Sequence, residues 1–419
     1  MKNMKVRITP AKLKGEIQAI PSKSIAHRLL ICAAMTTGIT RVRCKTSSED
    51  IDATVSCLRA MGSNIVRIGN TYLVPKVTVH AGQSVEFDCG ESGTTLRFMM
   101  CVAAGLGLCA RFKGSDRLFE RPLSPLTEIL TDHGIVISRD NANRIIQSGR
   151  AFPGEYKIQG DVSSQFISGL LLMLPLCGGG SVEVTGSFES KPYVGLTVAA
   201  MLESDVKVEC NDRIYKVFGR YDLRDCAVEG DWSNCAFWLC AGAMGSEVTV
   251  SDLDGDSLQG DREITKVLEG FSAEILSDKT RFTCKADSLT SCEIDASDIP
   301  DLVPVLSVVA AVSQGTTRIT GCGRLRLKES DRLLTVSQMI NNLGGNAQVS
   351  DDTLIIKGGK LTGGVVDACC DHRIAMAAAI ASTCCEGEVT ITGAEAVCKS
   401  YPGFFEDMRT LGAILEVEE

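Results

Sequence analysis

Apolar and polar positions follow one pattern that recurs six times along the chain. Each copy contains a polar or glycine-containing turn, an apolar stretch with helical spacing, a glycine and a short alternating segment. The glycines that precede the closing segments, from Gly38 to Gly387, recur about every 70 residues, as expected for a structural repeat. The copies begin at Pro21, Cys89, Gly160, Gly230, Asp298 and Cys370.

The apolar stretches predict buried helices. Ile25, Leu29 and Cys32 are spaced three and four apart, but most stretches are apolar nearly all round, which is typical of a helix covered on every side. Alternating segments such as VEVTG and IIKGG predict half-buried strands. A second helix in each repeat, several of them followed by a glycine, is predicted over residues 49–61, 125–133, 194–204, 261–271, 331–343 and 404–411.

Six repeats indicate an α+β fold with two globular domains of three repeats each, because 419 residues exceed one ordinary core. The alternative is an open solenoid. Open arrays usually carry polar terminal caps, and none is visible in this sequence, so closed domains are favoured.

Composition and charge restrict the function. Hydrophobic residues make up 44% and charged residues 23%, the balance of a soluble globular protein. A net charge of −9 and only 5% aromatics argue against a nucleic-acid or membrane-surface binder. No secretory signal is visible, and the longest uncharged apolar stretch, 98–110, is too short to span a bilayer. We therefore expect a cytoplasmic protein with no membrane or nucleic-acid partner.

The 19 cysteines favour a reducing compartment rather than a disulfide framework. Cysteines in apolar stretches usually act as small buried side chains. Cys369 and Cys370, with His372 nearby, leave a metal site as an alternative, but no second spaced pair supports it, so no metal or cofactor is expected. The cysteines in apolar stretches are Cys32, Cys101, Cys109 and Cys240.

Polar residues gather at the turn that opens each buried helix. Ser, Thr and Asp there cap free backbone N–H groups, and this explanation suffices for Asp231 and Ser233 of the fourth repeat. It does not explain the cations in other first turns, which the helix dipole disfavours unless an anion binds there. The remaining residues are Ser22, Lys23, Ser24, Arg28, Gly93, Thr94, Thr95, Arg97, Ser163, Ser164, Gln165, Asp298, Asp301, Asp371, His372 and Arg373.

Basic residues outside these turns point to the same chemistry. A fixed cation adds about 4 kcal/mol of Coulomb attraction at close range with an effective dielectric near 20, whereas a helix end adds roughly 0.3–1 kcal/mol. Lys328 and Arg332 are four residues apart, a spacing that predicts one shared helical face, with Glu329 beside them. In an acidic protein, such clustering predicts a pocket for a substrate with more than one anionic group. Other basic positions are Arg117, Arg121, Arg324, Arg326 and Lys399.

Nine segments over the whole chain resemble the enolpyruvyl transferase family, in that family's order and approximate spacing. They resemble the branch whose acceptor is shikimate 3-phosphate. The resemblance implies two domains, each of three βαβαββ repeats and similar to an inside-out α/β barrel. One domain would comprise residues 1–20 plus 229–419, the other residues 21–228, with the active site in the cleft between them. The segments are PSKSIAHR, ESGTTLRF, FERPLSPL, SSQFISGLL, SKPYVGLT, IPDLVPVL, LRLKESDRL, CDHRIAMA and CKSYPGFF.

The resemblance also implies which residues bind each substrate. Those expected to bind shikimate 3-phosphate are Lys23, Ser24, Arg28, Ser163, Ser164, Gln165, Ser190, Asp301 and Lys328. Those expected to bind phosphoenolpyruvate are Lys23, Gly93, Arg121, Gln165, Arg332, Arg373 and Lys399.

The implied reaction moves the enolpyruvyl group of phosphoenolpyruvate to the 5-hydroxyl of shikimate 3-phosphate by addition and elimination, releasing phosphate. This is a step of the shikimate pathway to chorismate and aromatic amino acids. Asp301 is expected to be the general base and Lys23 the general acid, with a pKa lowered by cationic neighbours. Glu329 is expected to share proton traffic with Lys328. We expect a monomer that needs these two small-molecule substrates and no cofactor.

Some positions depart from the family pattern: Glu91 and Arg324 stand where members often have Asn, and Phe98 where many have Pro.

Two alternative functions remain. The branch that uses UDP-N-acetylglucosamine usually has Lys-Asn in place of Lys23-Ser24 and a loop with a reactive cysteine, and FKGSDRLFERP contains none. A non-catalytic anion-binding repeat protein would need no carboxylates such as Asp301 among its cations.

Overall fold

The computed structural model describes residues 4–418. The chain forms two compact units. The terminal unit comprises Met1–Ile20 and Glu229–Glu419, and the middle unit comprises Pro21–Val228. The terminal unit is therefore assembled from two separate stretches of the chain.

Thirteen α-helices lie within residues 4–418, and six of them are almost completely buried. The helices are α1 Lys23–Met35, α2 Glu49–Ala60, α3 Gly93–Leu106, α4 Asp116–Glu120, α5 Leu126–Asp132, α6 Ser164–Cys177, α7 Lys191–Glu203, α8 Trp232–Ala243, α9 Ile264–Gly270, α10 Val303–Val312, α11 Arg332–Asn342, α12 His372–Ala381 and α13 Phe404–Thr410. The buried helices are α1, α3, α6, α8, α10 and α12, so the prediction from the apolar stretches is confirmed.

The predicted second helices are also present, as α2, α5, α7, α9, α11 and α13. The helix predicted over 261–271 begins with a 3₁₀ turn, Gly260–Glu263, before α9. Glycines follow four of these helices with left-handed φ between 84° and 95°, which releases the chain from the helix without the strain a side chain would bring. These glycines are Gly62, Gly134, Gly344 and Gly412.

In the described part of the chain, short strands pack around the buried helices in six four-stranded sheets. The strands are β1 Lys5–Thr9, β2 Lys14–Gln18, β3 Ile39–Arg43, β4 Val66–Ile68, β5 Thr71–Pro75, β6 Ser84–Asp88, β7 Cys109–Lys113, β8 Ile135–Arg139, β9 Ile145–Gly149, β10 Gly154–Gln159, β11 Gly180–Thr185, β12 Lys207–Asn211, β13 Ile214–Phe218, β14 Cys226–Ala227, β15 Glu247–Ser251, β16 Glu274–Ser277, β17 Phe282–Lys285, β18 Glu293–Asp295, β19 Thr316–Thr320, β20 Asn346–Ser350, β21 Thr353–Lys357, β22 Gly364–Asp367, β23 Val389–Thr392 and β24 Ile414–Glu418.

All six sheets share one topology, which the sheet β6-β7-β9-β8 illustrates. β6 and β7 are parallel, with Val85 opposite Ala110, and the buried helix α3 makes the crossover that a parallel pair requires. β8 and β9 then add an antiparallel hairpin. The βαβαββ repeat and the α+β class are therefore confirmed.

Strands distant in sequence complete each unit. In the terminal unit, β1 lies between β23 and β24, where Val6 pairs with Ile391 and Val417. β2 joins the sheet of the fourth repeat by pairing in parallel with β15. In the middle unit, β14 pairs with β3, so the last strand completes the first sheet. This closure disagrees with an open solenoid.

Each unit has its own apolar core around its three buried helices. Trp232 and Trp238 are fully buried in the terminal unit, and Phe98 and Phe166 in the middle unit. Cys109 corrects one prediction, because it is exposed rather than buried. It lies on the outward side of β7, where Ala110 points inward and successive side chains alternate.

Candidate active site

Lys23 is the first residue of α1 and forms an ion pair within the middle unit. Its Nζ lies 2.7 Å from Oδ2 of Asp50, in the first turn of α2, with the two side chains 16% and 13% exposed. The sequence predicts cationic neighbours for Lys23 and carries no sign of this carboxylate. Burial, and then the charges of Lys23 and Arg28, hold the pKa of His27 well below its usual value.

Arg28 is buried one turn further along α1 and is bound by neutral oxygens. Its Nε donates to Thr197 Oγ1 at 2.7 Å, and its Nη2 to the Tyr193 carbonyl at 2.8 Å. Nη1 donates to the Ser24 carbonyl at 2.5 Å. Burial lowers the Arg28 pKa to about 10, so the guanidinium remains charged at neutral pH. A buried charge held only by neutral groups is suited to bind an anion.

Gly93, the first residue of α3, leaves room for two guanidinium groups. A Cβ built on it would lie 2.5 Å from Arg97 Nη1 and 2.8 Å from Arg121 Nη1. Both arginines are nearly buried, at 3% and 8% exposure. Arg97 Nη1 also donates to Gln165 Oε1 at 2.9 Å. Two like charges this close to a helix N-terminus favour a bound anion.

Hydroxyl and amide groups occupy the starts of α6 and α7. Ser163 caps α6 by accepting from the Gln165 N–H at 3.3 Å, and Gln165 Nε2 donates to Thr94 Oγ1 at 2.8 Å. Ser164 is buried beside them. Ser190 precedes α7 with φ 52°, a backbone strain of about 1–3 kcal/mol that is typical of binding sites.

Asp301 accepts hydrogen bonds from three cations in the terminal unit. Oδ1 accepts from Arg332 Nη1 at 2.7 Å and Lys328 Nζ at 3.2 Å, and Oδ2 accepts from Arg373 Nη2 at 3.2 Å. Burial alone would raise the Asp301 pKa, but the three charges hold it well below its usual value. The carboxylate is therefore ionised at neutral pH and is a weak base.

Arg332, 1% exposed, binds three carboxylates. It donates to both oxygens of Asp371, at 2.7 and 3.2 Å, and to Glu329 Oε2 at 2.6 Å, besides Asp301. Asp371 also caps α12 by accepting from the Arg373 N–H at 3.0 Å. Burial opposes the charge, but the carboxylates raise the Arg332 pKa well above its usual value. Arg332 therefore fixes the positions of Asp301 and Asp371.

Arg373 and Lys399 are both nearly buried. Arg373 Nη1 donates to the Asp301 carbonyl at 3.1 Å. Lys399 Nζ donates to the Cys370 carbonyl at 2.5 Å, which places it at the start of α12. Both cations are thus located at the N-terminus of one buried helix, where a bound anion would compensate them.

Ser233 and Asp261 belong to the hydrogen-bond network around Arg373, and the sequence did not predict this. Asp231 does cap α8, accepting from the Asn234 N–H at 3.0 Å, but Ser233 does more than begin the helix. Ser233 Oγ accepts from Arg373 Nη2 at 2.6 Å and donates to Asp261 Oδ2. Their only signal in the sequence was a position near a helix start.

The positions that depart from the family pattern lie beside these residues. The Phe98 ring centroid is 5.1 Å from Arg28 Cζ, a cation–π distance. Burial lowers the Lys328 pKa, and Arg332 and Arg324 lower it further against the opposite effect of Asp301. Glu91 is half-buried immediately before the α3 cap.

The predicted site residues thus fall into two clusters, one in each unit. The middle cluster is Lys23, Ser24, Arg28, Gly93, Arg121, Ser163, Ser164, Gln165 and Ser190. The terminal cluster is Asp301, Lys328, Glu329, Arg332, Arg373 and Lys399. Across residues 4–418, no group of three or more His, Cys, Asp or Glu side chains is arranged to hold a metal ion. None of the helices in that range is long and apolar enough to cross a membrane.

Comparison with protein families gives one match over nearly the whole chain. Residues 8–408 match the model of the family described as EPSP synthase (3-phosphoshikimate 1-carboxyvinyltransferase). The 3-phosphoshikimate 1-carboxyvinyltransferase of Clostridium kluyveri is 41% identical, covering 99% of this chain and 98% of the relative. That of Clostridioides difficile is 38% identical, covering 98% of both.

Solved structures share the fold. EPSP synthase from Acinetobacter baumannii superposes with a TM-score of 0.80 at 24% identity, covering 99% of this chain and 100% of that one. The enolpyruvyl transferase NikO from Streptomyces tendae superposes with the same TM-score at 16% identity, covering 99% of both chains.

Proposed function

Because the chain belongs to the EPSP synthase family, we propose that it transfers the enolpyruvyl group of phosphoenolpyruvate to the 5-hydroxyl of shikimate 3-phosphate. Phosphate is the second product. The observation that carries this proposal is the Asp301 carboxylate held among Lys328, Arg332 and Arg373. In a protein that only bound anions, a carboxylate among the cations would weaken the attraction for the ligand.

Both clusters serve this one reaction in the proposal. Arg28 and the serines around it bind the phosphate of the acceptor, because Arg28 brings a charge held by neutral oxygens. Arg121 and Gln165 bind phosphoenolpyruvate beside Gly93, and Arg373 and Lys399 complete its binding from the terminal unit. Fixed donors of this kind stabilise the charge that develops on the phosphate and carboxylate.

Asp301 orients the acceptor hydroxyl and removes its proton late in the addition. An alcohol is too weak an acid to lose its proton to a carboxylate of low pKa beforehand. Once its oxygen bonds to the carbon of protonated phosphoenolpyruvate, that oxygen becomes strongly acidic, and a weak base then suffices. Lys23, ion-paired with Asp50, supplies the proton to the methylene carbon. Elimination then removes a methyl proton and phosphate, and Glu329 shares this proton transfer with Lys328.

Phosphate release tests the proposed activity. Purified protein should release phosphate only when phosphoenolpyruvate and shikimate 3-phosphate are both present. Release with UDP-N-acetylglucosamine in place of shikimate 3-phosphate would favour the other branch of the family, and no release with either acceptor would contradict the proposal.

Asp301→Asn separates an enzyme from a binding protein. Loss of the base should lower kcat by roughly 10²–10⁴-fold while substrate binding, followed by calorimetry, persists. Asp407→Asn is the matched control, because Asp407 is a half-buried carboxylate of the same unit bonded to the Tyr401 hydroxyl at 2.7 Å. Equal activity of the two variants would remove Asp301 from the mechanism.

We also propose that the protein is a cytoplasmic monomer that uses no cofactor. Light scattering during gel filtration should give the mass of one 44.8 kDa chain. Activity should persist after dialysis against a chelator, and loss of activity that a divalent cation restores would contradict the absence of a metal.

A further inference from the structure

A buried hydrogen-bond chain leads from Arg373 to a carboxyl group that the proposed mechanism does not use. Arg373 Nη2 donates to Ser233 Oγ at 2.6 Å, and Ser233 donates its single hydroxyl proton to Asp261 Oδ2. Asp261 is only 3% exposed. Because Ser233 has one proton, donating it to Asp261 turns the oxygen lone pairs toward Arg373. The bond between the guanidinium and Ser233 therefore depends on Asp261, and it adds to the two bonds that Arg373 donates to Asp301.

The charges around Asp261 come from three neighbouring elements. Asp301 precedes α10, Arg373 is the second residue of α12 and Asp231 caps α8, and each influences the Asp261 carboxyl electrostatically. On its own turn, Arg262 donates to the Gly255 carbonyl, and Glu263 pairs with Lys266 at 2.9 Å. Asp261 is thus an additional acid beside the pair formed by Asp301 and Arg373, which the proposed reaction uses.

We propose that Asp261 is a positioning residue for phosphoenolpyruvate: through Ser233 it orients Arg373, and its ionisation sets how strongly that arginine attracts the substrate. This inference rests on the proposed function. When Asp261 is neutral, the negative charges beside Arg373 are fewer and an incoming anion is attracted more strongly. When Asp261 is ionised, its charge offsets part of the arginine's attraction.

The direction of the pH effect follows from the environment of Asp261. Burial, and then the charge of Asp301, raise the Asp261 pKa to about 6, whereas Arg373 and Ser233 lower it. Asp261 is therefore neutral at pH 5 and ionised at pH 8. The KM for phosphoenolpyruvate should therefore be higher at pH 8 than at pH 5. This increase should exceed the change that ionisation of the substrates alone would cause.

Asp261→Asn isolates this contribution. Asparagine keeps an oxygen that accepts from Ser233 but cannot ionise, and the substrates titrate identically in both assays. The ratio of wild-type KM to variant KM for phosphoenolpyruvate should be near 1 at pH 5 and roughly 3–10 at pH 8, with a midpoint near pH 6. Asp407→Asn, the matched control, should give a ratio near 1 throughout. A ratio for Asp261→Asn that does not change with pH would overturn the inference.

Ser233→Ala tests the same chain if Asp261→Asn does not fold. Without the hydroxyl, the KM for phosphoenolpyruvate should rise several-fold while the KM for shikimate 3-phosphate stays constant, and Ser233→Thr should restore the first value. Equal changes in both KM values would indicate a merely structural role and overturn the inference. If the wild-type protein is active and the variants give these contrary results, only the inference is refuted. If the wild-type protein is inactive, both the proposed function and the inference are refuted.

Discussion

Arg28 and Arg332 are both buried arginines, one in each unit, yet their surroundings are opposite. Arg28, 2% exposed, donates to the hydroxyls of Thr197 and Ser168 and to backbone carbonyls. Arg332, 1% exposed, donates to the carboxylates of Asp301, Glu329 and Asp371. Burial lowers the pKa of Arg28 to about 10, whereas the acids raise that of Arg332 above its usual value.

The different partners of Arg28 and Arg332 indicate two roles for a buried cation: binding an anion and holding acidic side chains in place. A charge surrounded by dipoles keeps its attraction for an incoming anion, so Arg28 is suited to binding. A charge surrounded by acids is already compensated, so Arg332 mainly holds the acids in position. The resemblance implies substrate contacts for both arginines, and for Arg332 this stays a prediction. Its contacts in the structure are with the carboxylates of Asp301, Glu329 and Asp371.

The largest expected effect is on stability, from Arg332→Met. The change leaves three carboxylates without their shared cation, and removing one partner of a buried ion pair typically costs about 3–5 kcal/mol. Urea unfolding followed by circular dichroism should show this loss in the free energy of unfolding. The loss should shrink at low pH, where the carboxylates become protonated.

Arg28→Met is the control for that experiment. Its partners are neutral groups, so the cost in unfolding free energy should be smaller, about 1–3 kcal/mol. It should also show little dependence on pH. If the two variants lost equal stability with equal pH dependence, the distinction between a binding arginine and an organising one would fail.

Arg28→Met should instead have its main effect on binding. Truncating a buried charge that pairs with a ligand costs about 2–4 kcal/mol, or roughly 30- to 1000-fold in affinity. Calorimetry with shikimate 3-phosphate should show this loss, with the affinity for phosphoenolpyruvate much less affected. An unchanged affinity for shikimate 3-phosphate would exclude Arg28 from the acceptor site.

The repeat and the helix starts could be predicted from the sequence because each has a local signal. Apolar stretches with a glycine stop predicted the six buried helices, and cations in a first turn, such as Lys23 and Arg373, marked positions where capping was insufficient. Closure of the terminal unit by β1 could not be derived in this way, because strand pairing across nearly 400 residues leaves no local pattern.

The partners of the site residues were the part that the sequence could not predict. Asp50 is 27 residues from Lys23, and Asp261 is 28 residues from Ser233. Each lies where an acid near a helix start is already explained by the helix dipole. Ser233 shows the same ambiguity: its position suggested capping, and only the packing of α8 beside α12 reveals the contact with Arg373.

A smaller effect is expected from Gly93→Ala. The added methyl group would lie 2.5 Å from Arg97 Nη1 and 2.8 Å from Arg121 Nη1, so these guanidiniums must move, at about 1–2 kcal/mol. The KM for phosphoenolpyruvate should rise roughly 5- to 30-fold. Gly195→Ala is the matched control, since nothing lies within 4 Å of its added Cβ. Similar kinetics for the two variants would show that the guanidiniums beside Gly93 do not bind this substrate.

The smallest expected effect comes from the aromatic rings that face two of the middle-unit arginines. Phe98 and Phe166 are both fully buried, and their ring centroids lie 5.1 Å from Arg28 Cζ and 5.5 Å from Arg97 Cζ. Phe98→Leu should weaken shikimate 3-phosphate binding by roughly 2- to 5-fold, because a cation–π contact contributes about 0.5–1 kcal/mol. Phe166→Leu makes the same change in volume beside Arg97, which donates to Gln165 at 2.9 Å, so it should affect phosphoenolpyruvate instead. If both variants weakened both substrates equally, the rings would act through packing rather than through the charge each one faces.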